Sequence, residues 1–516
     1  MLRNTLTLAT LILSAPVLHA QHWPQASGPN LNWQVDGEAV PLQWSAAANE
    51  NIRWRTTLPE GGQSAVTVWG ECAFVTTHRP MEESSDRLES DLIGYCLDAD
   101  TGGIRWRVEL PGTDPVQTAG IFSDATVFAP ITDGEHVWFF NRCGSMGCFD
   151  MDGNAVWQRT FEPRPRHTNR QCEPILIGNK ILTVEVRDKQ AGQQLQRHKP
   201  VPDGIDPRDV WTYLHAIDKK TGEVLWVGES GTAVHNTPVA SKLSDGRWAI
   251  AHGRGGGHGP LEKPYGVSLT LAESGKTLWS REFNSDCAFN SHWNANGVYW
   301  FEKQTHHVLD TATGKTIRST DVSRNADVTE PWKPHENATR RIGVEVRVGR
   351  KMPCTNQTNI VVGDWHYFLA HDVIAIGRVH VVSGKTEYLR VPIAVIAGDD
   401  GRDSNRWIWE KRDAPVLDTK NSRGIDIALD KRAKKSGWGH VSAASPIRVN
   451  DYLFFPIMNG TVYVVDTRAK VLDETALVAI NDLGRTGETW TLASFSYARG
   501  RLYMHTMKEV LCIEQQ

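Results

Sequence analysis

Leu97-Asp98-Ala99-Asp100-Thr101-Gly102, followed four residues later by Trp106, is the stretch of this 516-residue sequence from which the fold can be read. An apolar strand ends in Asp, a turn closes on Gly, and a second strand carries an indole at a fixed distance from that Gly. Asp, Thr and Gly are the residues of a tight turn, because a short side chain can hydrogen-bond the turn amides and Gly accepts a positive φ. The same unit returns as Phe149-Asp150 to Gly153 with Trp157, as Ile217-Asp218 to Gly222 with Trp226, and as Glu273-Ser274-Gly275 with Trp279. Degenerate copies follow: Leu309-Asp310 to Gly314 with Arg318, Val382-Ser383-Gly384 with Tyr388, and Val465-Asp466 to Ala469 with Asp473.

Between units lie two further apolar runs, such as those beginning at Ala65, Lys180, Tyr452 and Leu502, so each repeat is expected to be a four-stranded sheet. Such a sheet cannot bury both faces alone, and a closed ring of sheets leaves only short, protected edges. The ends of the chain supply the missing copy: Val510 to Glu514 reads as the strand before the turn, and Asn51 to Arg55, with Trp54, as the strand after it. The fold class read from this pattern is all-β: an eight-bladed β-propeller with four-stranded blades and tryptophan-docking-like repeats, its last blade closed by both chain ends. About 40 to 50 residues suit one blade. The longer intervals therefore place loop insertions near 188–209, 324–351 and 398–435 in a single propeller spanning 21–516. The charged part of the last insertion is too short for a separate domain, and its Lys431, Arg432, Lys434 and Lys435 read as a solvated basic face.

The D-x-x-T-G-x-x-x-W pattern resembles the tryptophan-docking repeat of quinoprotein-like propellers. The opening Trp23-Pro24 and Gly28-Pro29-Asn30, with Ile52-Arg53-Trp54 and Leu58-Pro59, is similar to the start of exported bacterial proteins of that group, often described as binding-like for pyrroloquinoline quinone (PQQ). The resemblance runs from about Trp23 to Glu514. It implies kinship both with a binding scaffold, the outer-membrane assembly factor of the BamB type, and with enzymes, the quinoprotein alcohol dehydrogenases. The fold alone does not choose between them. The enzymes would carry adjacent cysteines at the cofactor and carboxylate or amide ligands for calcium near a catalytic Asp. This chain has no Cys-Cys pair, and no Asp can be matched, so PQQ is disfavoured and no metal site is expected.

Residues 1–20 carry Arg3, the apolar run Leu6 to Leu13 and Ala20 at the cut, which reads as a secretory signal peptide; the run is too short for a membrane anchor, and no other segment can span a bilayer. An exported, periplasmic or extracellular protein is expected. Hydrophobic residues at 40% suit a packed core, and a net charge of −4 argues against nucleic-acid binding. Eight cysteines meet an oxidising compartment. Among them Cys143 and Cys148 flank a Gly-containing turn and are the best single disulfide candidate, against a plain reading as small strand residues.

In a propeller the innermost strand of each blade lines the channel, so residues just before those strands converge. That register picks out Gln63 and Ser64, Asn169 and Arg170, His235 and Asn236, Ser291 and His292, Thr355 and Asn356, His440 and Ser442, and Trp490, with His167 and Trp438 as helpers. The ligand-binding set taken from it is Asn169, Arg170, His235, Asn236, His292, Asn356, His440 and Trp490. Arg170 suits an anion and Trp490 stacking. The alternative is that these groups cap strand ends and hold water. A second cluster, His252-Gly253-Arg254 to His258, reads as a glycine-rich loop and lacks the residues of a phosphate-binding loop.

Two function classes stay open. The first is an exported binding or assembly scaffold with a protein partner and a polar channel mouth. The second is an enzyme acting on a saccharide or other polar small molecule, with His235, His292 or His440 as general base; a quinone-dependent dehydrogenase is the least supported.

Overall fold

A computed structural model of the chain describes residues 21–516 apart from 80–89, 117–119, 123–127, 162, 164–171, 186–202, 207–210, 233–235, 255–264, 285–289, 331–337, 350–353, 357, 399–400 and 439–443. Among the described residues the strands form eight blades in a ring, and no α-helix occurs. Blade 1 is a meander of Thr67–Trp69, Cys72–His78, Leu92–Asp98 and Ile104–Leu110, running from the channel outward. The meander repeats in blades 2 (131–160), 3 (175–231), 4 (239–282), 5 (293–321), 6 (359–390) and 7 (447–482). Blade 8 is built from both ends: Ser496–Ala498, Arg501–His505 and Val510–Ile513 pair in order, and Ile52–Thr56 closes the sheet antiparallel to Val510–Ile513. Trp54 stands opposite Cys512, as the split repeat requires.

The repeat explains the ring. In blade 1 the Asp98 carboxylate accepts the amides of Asp100 and Thr101, which folds the turn, and Arg105 beside it holds its pKa down to about 2. Gly102 then takes φ +75°, and the indole of Trp54 from blade 8 lies flat on it: a Cβ there would come within 2.6 Å of the ring. Each indole docks in this way on the turn of the following blade: Trp106 on Gly153, Trp157 on Gly222, Trp226 on Gly275 and Trp279 on Gly314. Four of the five indole N–H groups donate to a turn carbonyl there, those of Ala99, Met151, Lys219 and Thr311, at 2.8 to 3.1 Å. Trp54 and Trp279 are buried at 7% and 9% exposure, whereas Trp106, Trp157 and Trp226 are half-buried, less than the docking role suggests. They sit on the outermost strands, where one ring edge faces solvent.

Where the indole is lost, other groups take over. Tyr388 donates its hydroxyl back to Val322 at 2.9 Å. From blade 6, the fully buried Arg378 bonds the Ala469 carbonyl of the blade 7 turn at 2.9 Å and pairs with Glu387 at 2.6 Å. Blade 6 also gains two outer strands from the 324–351 insertion, which was expected as a loop and instead pairs with the open edge of the blade: Ala326–Glu330 lies parallel to Thr386–Arg390, and Thr339–Val344 follows antiparallel.

Two further segments pack on the faces of the ring. Because each blade is a meander, the turns of the inner hairpins and the docking turns share one face, the hairpin face, and the blade-to-blade connections share the other, the loop face. Residues 22–35 cross the hairpin side of the channel. Trp23 exchanges two backbone bonds with Val68 of blade 1, Pro24 accepts from Thr132 of blade 2, Gln25 accepts from Leu176 of blade 3, and Gln34–Val35 adds a parallel strand to Arg448–Val449 of blade 7. Leu31 and Trp33 are buried there with φ of +61°, a backbone state of order 1–3 kcal/mol that only surrounding packing sustains. On the loop face, residues 415–438 lay Ile427, Ala428 and Ala433 over Met458, Trp490, Leu492 and Met507.

Two of the cysteine and loop expectations are corrected. All seven described cysteines are free and buried. Cys148 stands opposite Trp138 in the hairpin while Cys143 lies in the turn itself, so the two do not face each other. His252 and Arg254 are in the strand Trp248–Arg254, with the His252 imidazole in the core against Thr270, 2.9 Å away. His258, Cys287 and the expected signal peptide lie outside the described residues.

Trp279→Ala is expected to cost about 3–5 kcal/mol, measured by urea denaturation, since it removes a buried indole and its bond to Thr311. Glu387→Leu is expected to cost a similar ~3–5 kcal/mol by leaving Arg378 buried without its counter-charge; a melting temperature unchanged in either variant would contradict the packing described.

Candidate functional site

The residues that precede the innermost strands form a belt of hydrogen bonds. Gln63 of blade 1 accepts from Leu492 of blade 8 at 2.8 Å, and Thr67 donates to Pro130 before blade 2 at 2.6 Å. Glu173 of blade 3 accepts from Ala129 and its amide donates to Thr237 of blade 4, whose own amide donates to Asn290 of blade 5. Asn290 then reaches across to Ser445 of blade 7 at 2.8 Å, and Ser445 donates to Ser494 of blade 8. The inner strands crowd together, and burial drives polar groups to bond across to the neighbouring blade. Sequence register missed Glu173, Asn290 and Ser445, which carry this belt.

Of the eight proposed ligand residues, Asn169, Arg170, His235 and His440 lie outside the described residues, as do His167 and Ser442. The other four sit at different depths. The inner strand of blade 5 is only Trp293–Asn294, and its hairpin turns at Ala295-Asn296. His292 is therefore three residues from the hairpin-face turn. In blade 8 the strand Ser496–Ala498 begins six residues after Trp490, which leaves Trp490 far out on the loop face. There it is 1% exposed under the 415–438 cap, beside a cavity of about 10 Å³, room for one water at most. Trp438 is equally buried and packs 6.0 Å from Tyr463. The Asn236 carbonyl accepts the Cys172 thiol at 2.9 Å, and that of Asn356 accepts from Asn359 at 2.8 Å. The short Trp293 to Gly297 hairpin, turning at Ala295-Asn296, places His292 apart, and its signal in the sequence was the run of turn residues Asn294 to Gly297.

His292 belongs to a buried network on the inner wall of blades 5 and 6. Its ring bonds the Asn359 backbone, and Asn359 Oδ1 lies 2.9 Å from His366 Nε2, whose Nδ1 lies 3.0 Å from His306 Nε2. Asn359 Nδ2 donates to Asn356, which fixes the amide orientation. Asn359 Oδ1 is then an acceptor, so His366 carries its proton on Nε2 and accepts from His306 at Nδ1. Burial among Tyr299, Phe301 and Phe368 keeps these rings neutral: His306 falls to about 3, His292 to about 4, and His366 lies well below its ordinary value.

The belt uses the polar groups of the mouth for blade-to-blade bonds. Among the described residues the one cluster of three metal-ligating side chains is Asp133, Glu135 and His136, in an inner-hairpin turn on the opposite face.

An imidazole neutral in the fold but titrating at about 6.5 when unfolded contributes stability that is present above pH 6.5 and is lost as pH falls towards the folded value. The urea midpoint is therefore expected to fall steadily from pH 7 to pH 4. His366→Gln, which keeps a hydrogen-bonding side chain without a titrating ring, is expected to flatten that slope by about 1.4 kcal/mol per pH unit; equal slopes for the two proteins would refute the assignment.

A family model described as outer membrane protein assembly factor BamB matches residues 34–197. No curated protein matches the chain. Among solved structures, quinohemoprotein alcohol dehydrogenase from Comamonas testosteroni aligns at 12% identity and a TM-score of 0.51 over 95% of this chain and 80% of its own. The quinohemoprotein alcohol dehydrogenase ADHIIG of Pseudomonas putida HK5 aligns over the same shares at 10% identity and 0.51. BamB from Moraxella catarrhalis aligns at 11% identity and 0.46, over 89% of this chain and 96% of its own. Identities this low speak to the fold and leave the activity open. The docking repeat and the eight-bladed ring lead to one conclusion: the chain is an eight-bladed β-propeller, similar over residues 34–197 to the family model described as outer membrane protein assembly factor BamB.

Proposed function

We propose that this protein is an exported binding or assembly scaffold, a rigid platform that takes a protein partner on its outer surface. The observation that carries this reading is the bracing of the ring: residues 22–35 bond to blades 1, 2, 3 and 7 on the hairpin side, residues 415–438 pack on the loop side, and a belt of bonds links the blades between them. What a scaffold needs is a shape that does not deform, and eight docked blades closed by both chain ends supply it. Export rests on the reading of residues 1–20.

The test has two arms. Cross-linking in the exporting cell is expected to trap the protein with one stoichiometric partner, and the purified protein supplied with PQQ and calcium is expected to oxidise no alcohol in a dye-linked assay. Dye-linked turnover, or a monomeric protein that cross-links to nothing, would overturn the scaffold reading.

A further inference from the structure

We infer that a cleft on the hairpin face, between residues 30–34 and the inner hairpins of blades 4, 5 and 6, is a binding site for a neutral saccharide. The cleft measures about 520 Å³, within the range of sites that enclose small organic ligands. It lies away from the belt and from the loop-face cap, and it stands independently of the scaffold reading, which neither needs it nor forbids it.

Its floor holds a buried imidazole. His292 lines the cleft at 3% exposure, and burial keeps its ring neutral, so the floor offers no charge to an ionic ligand. The edge of Trp33 packs on the ring at 5.6 Å and holds it in place.

The walls narrow the class of ligand. Asn30 and Asn32 on one side and Asn294 and Asn296 on the other are carboxamides. Asn30 Nδ2 donates to Gln34, Asn32 Oδ1 accepts from Gln34, and Asn294 Oδ1 accepts from Asn296 and Tyr299, which leaves the other amide atoms, donors and acceptors both, for ligand hydroxyls. Trp248 adds an aromatic surface. Lys242 sits over that ring, 5.3 Å from its centre, and Asp364 brings the opposite charge to the rim, so the two leave no net preference for an ion. A neutral floor, carboxamide walls and balanced rim charges match a neutral polyhydroxylated molecule better than an anion or a cation.

The site depends on a wall made by the chain itself. Residues 30–34 reach the cleft because Gln34 is anchored at both ends of its amide: Nε2 donates to Val361 at 2.8 Å, and Oε1 accepts from Arg448 at 3.2 Å. The left-handed backbone at Leu31 and Trp33 turns Trp33 onto the imidazole while Asn32 faces the cleft.

The test is isothermal titration of the full-length mature protein with glucose, mannose, N-acetylglucosamine and their linear oligomers, alongside the uronic acids as anionic controls. At least one neutral sugar is expected to bind saturably below about 10 mM. Asn296→Trp, at an exposed turn where the fold is not at risk, should weaken it at least about tenfold by filling the cleft. No saturable binding by any neutral sugar, binding restricted to the uronic acids, or binding untouched by Asn296→Trp would overturn the inference.

Discussion

Everything in this molecule rests on an indole laid flat on a glycine of the next blade. The contact needs three things at once: a turn folded by a carboxylate, a residue that can hold positive φ, and no Cβ within reach of the ring. Because the indole and the glycine belong to different blades, each repeat is stabilised by its neighbour more than by itself, and the ring gains from being complete. That is why the chain uses its own ends to form the last blade. Trp54 could not dock on Gly102 unless Ile52–Thr56 were held against Val510–Ile513, and Arg501 and Arg53 tie Glu514 to that junction.

The same logic governs the departures. Between blades 6 and 7 the indole is replaced by a guanidinium that reaches the same kind of turn carbonyl and carries its counter-charge with it. A buried ion pair of this kind adds little net stability but is costly to break. It keeps the spacing of the ring while freeing the outer edge of blade 6, which accepts two extra strands.

Docking at the rim forces crowding at the axis. Eight inner strands meet there, and their polar groups bond across blades and do not open towards solvent. The channel is thereby a structural element. Open, polar space appears off the axis instead, where the N-terminal crossing leaves a gap beside the short hairpin of blade 5, with His292 of the buried histidine network in its floor.

The repeat, the eight blades and the closure by Trp54 and Val510 to Ile513 were legible in the sequence, because turn chemistry and strand alternation are local and the docking distance from Gly to Trp is fixed along the chain. The depth of each inner residue was not. His292 and Trp490 both precede a first strand, yet one lies near the hairpin face and the other under a cap on the loop face, because the strands that follow begin and end at different heights. Nor could the sequence show that residues 22–35 cross the channel, or that Asn359 would fix the protons of two histidines sixty residues apart in the chain. Local chemistry set the blades; which side chains share a cavity was decided only by the packing of the blades around a common axis, since that brings together residues with no regular spacing between them.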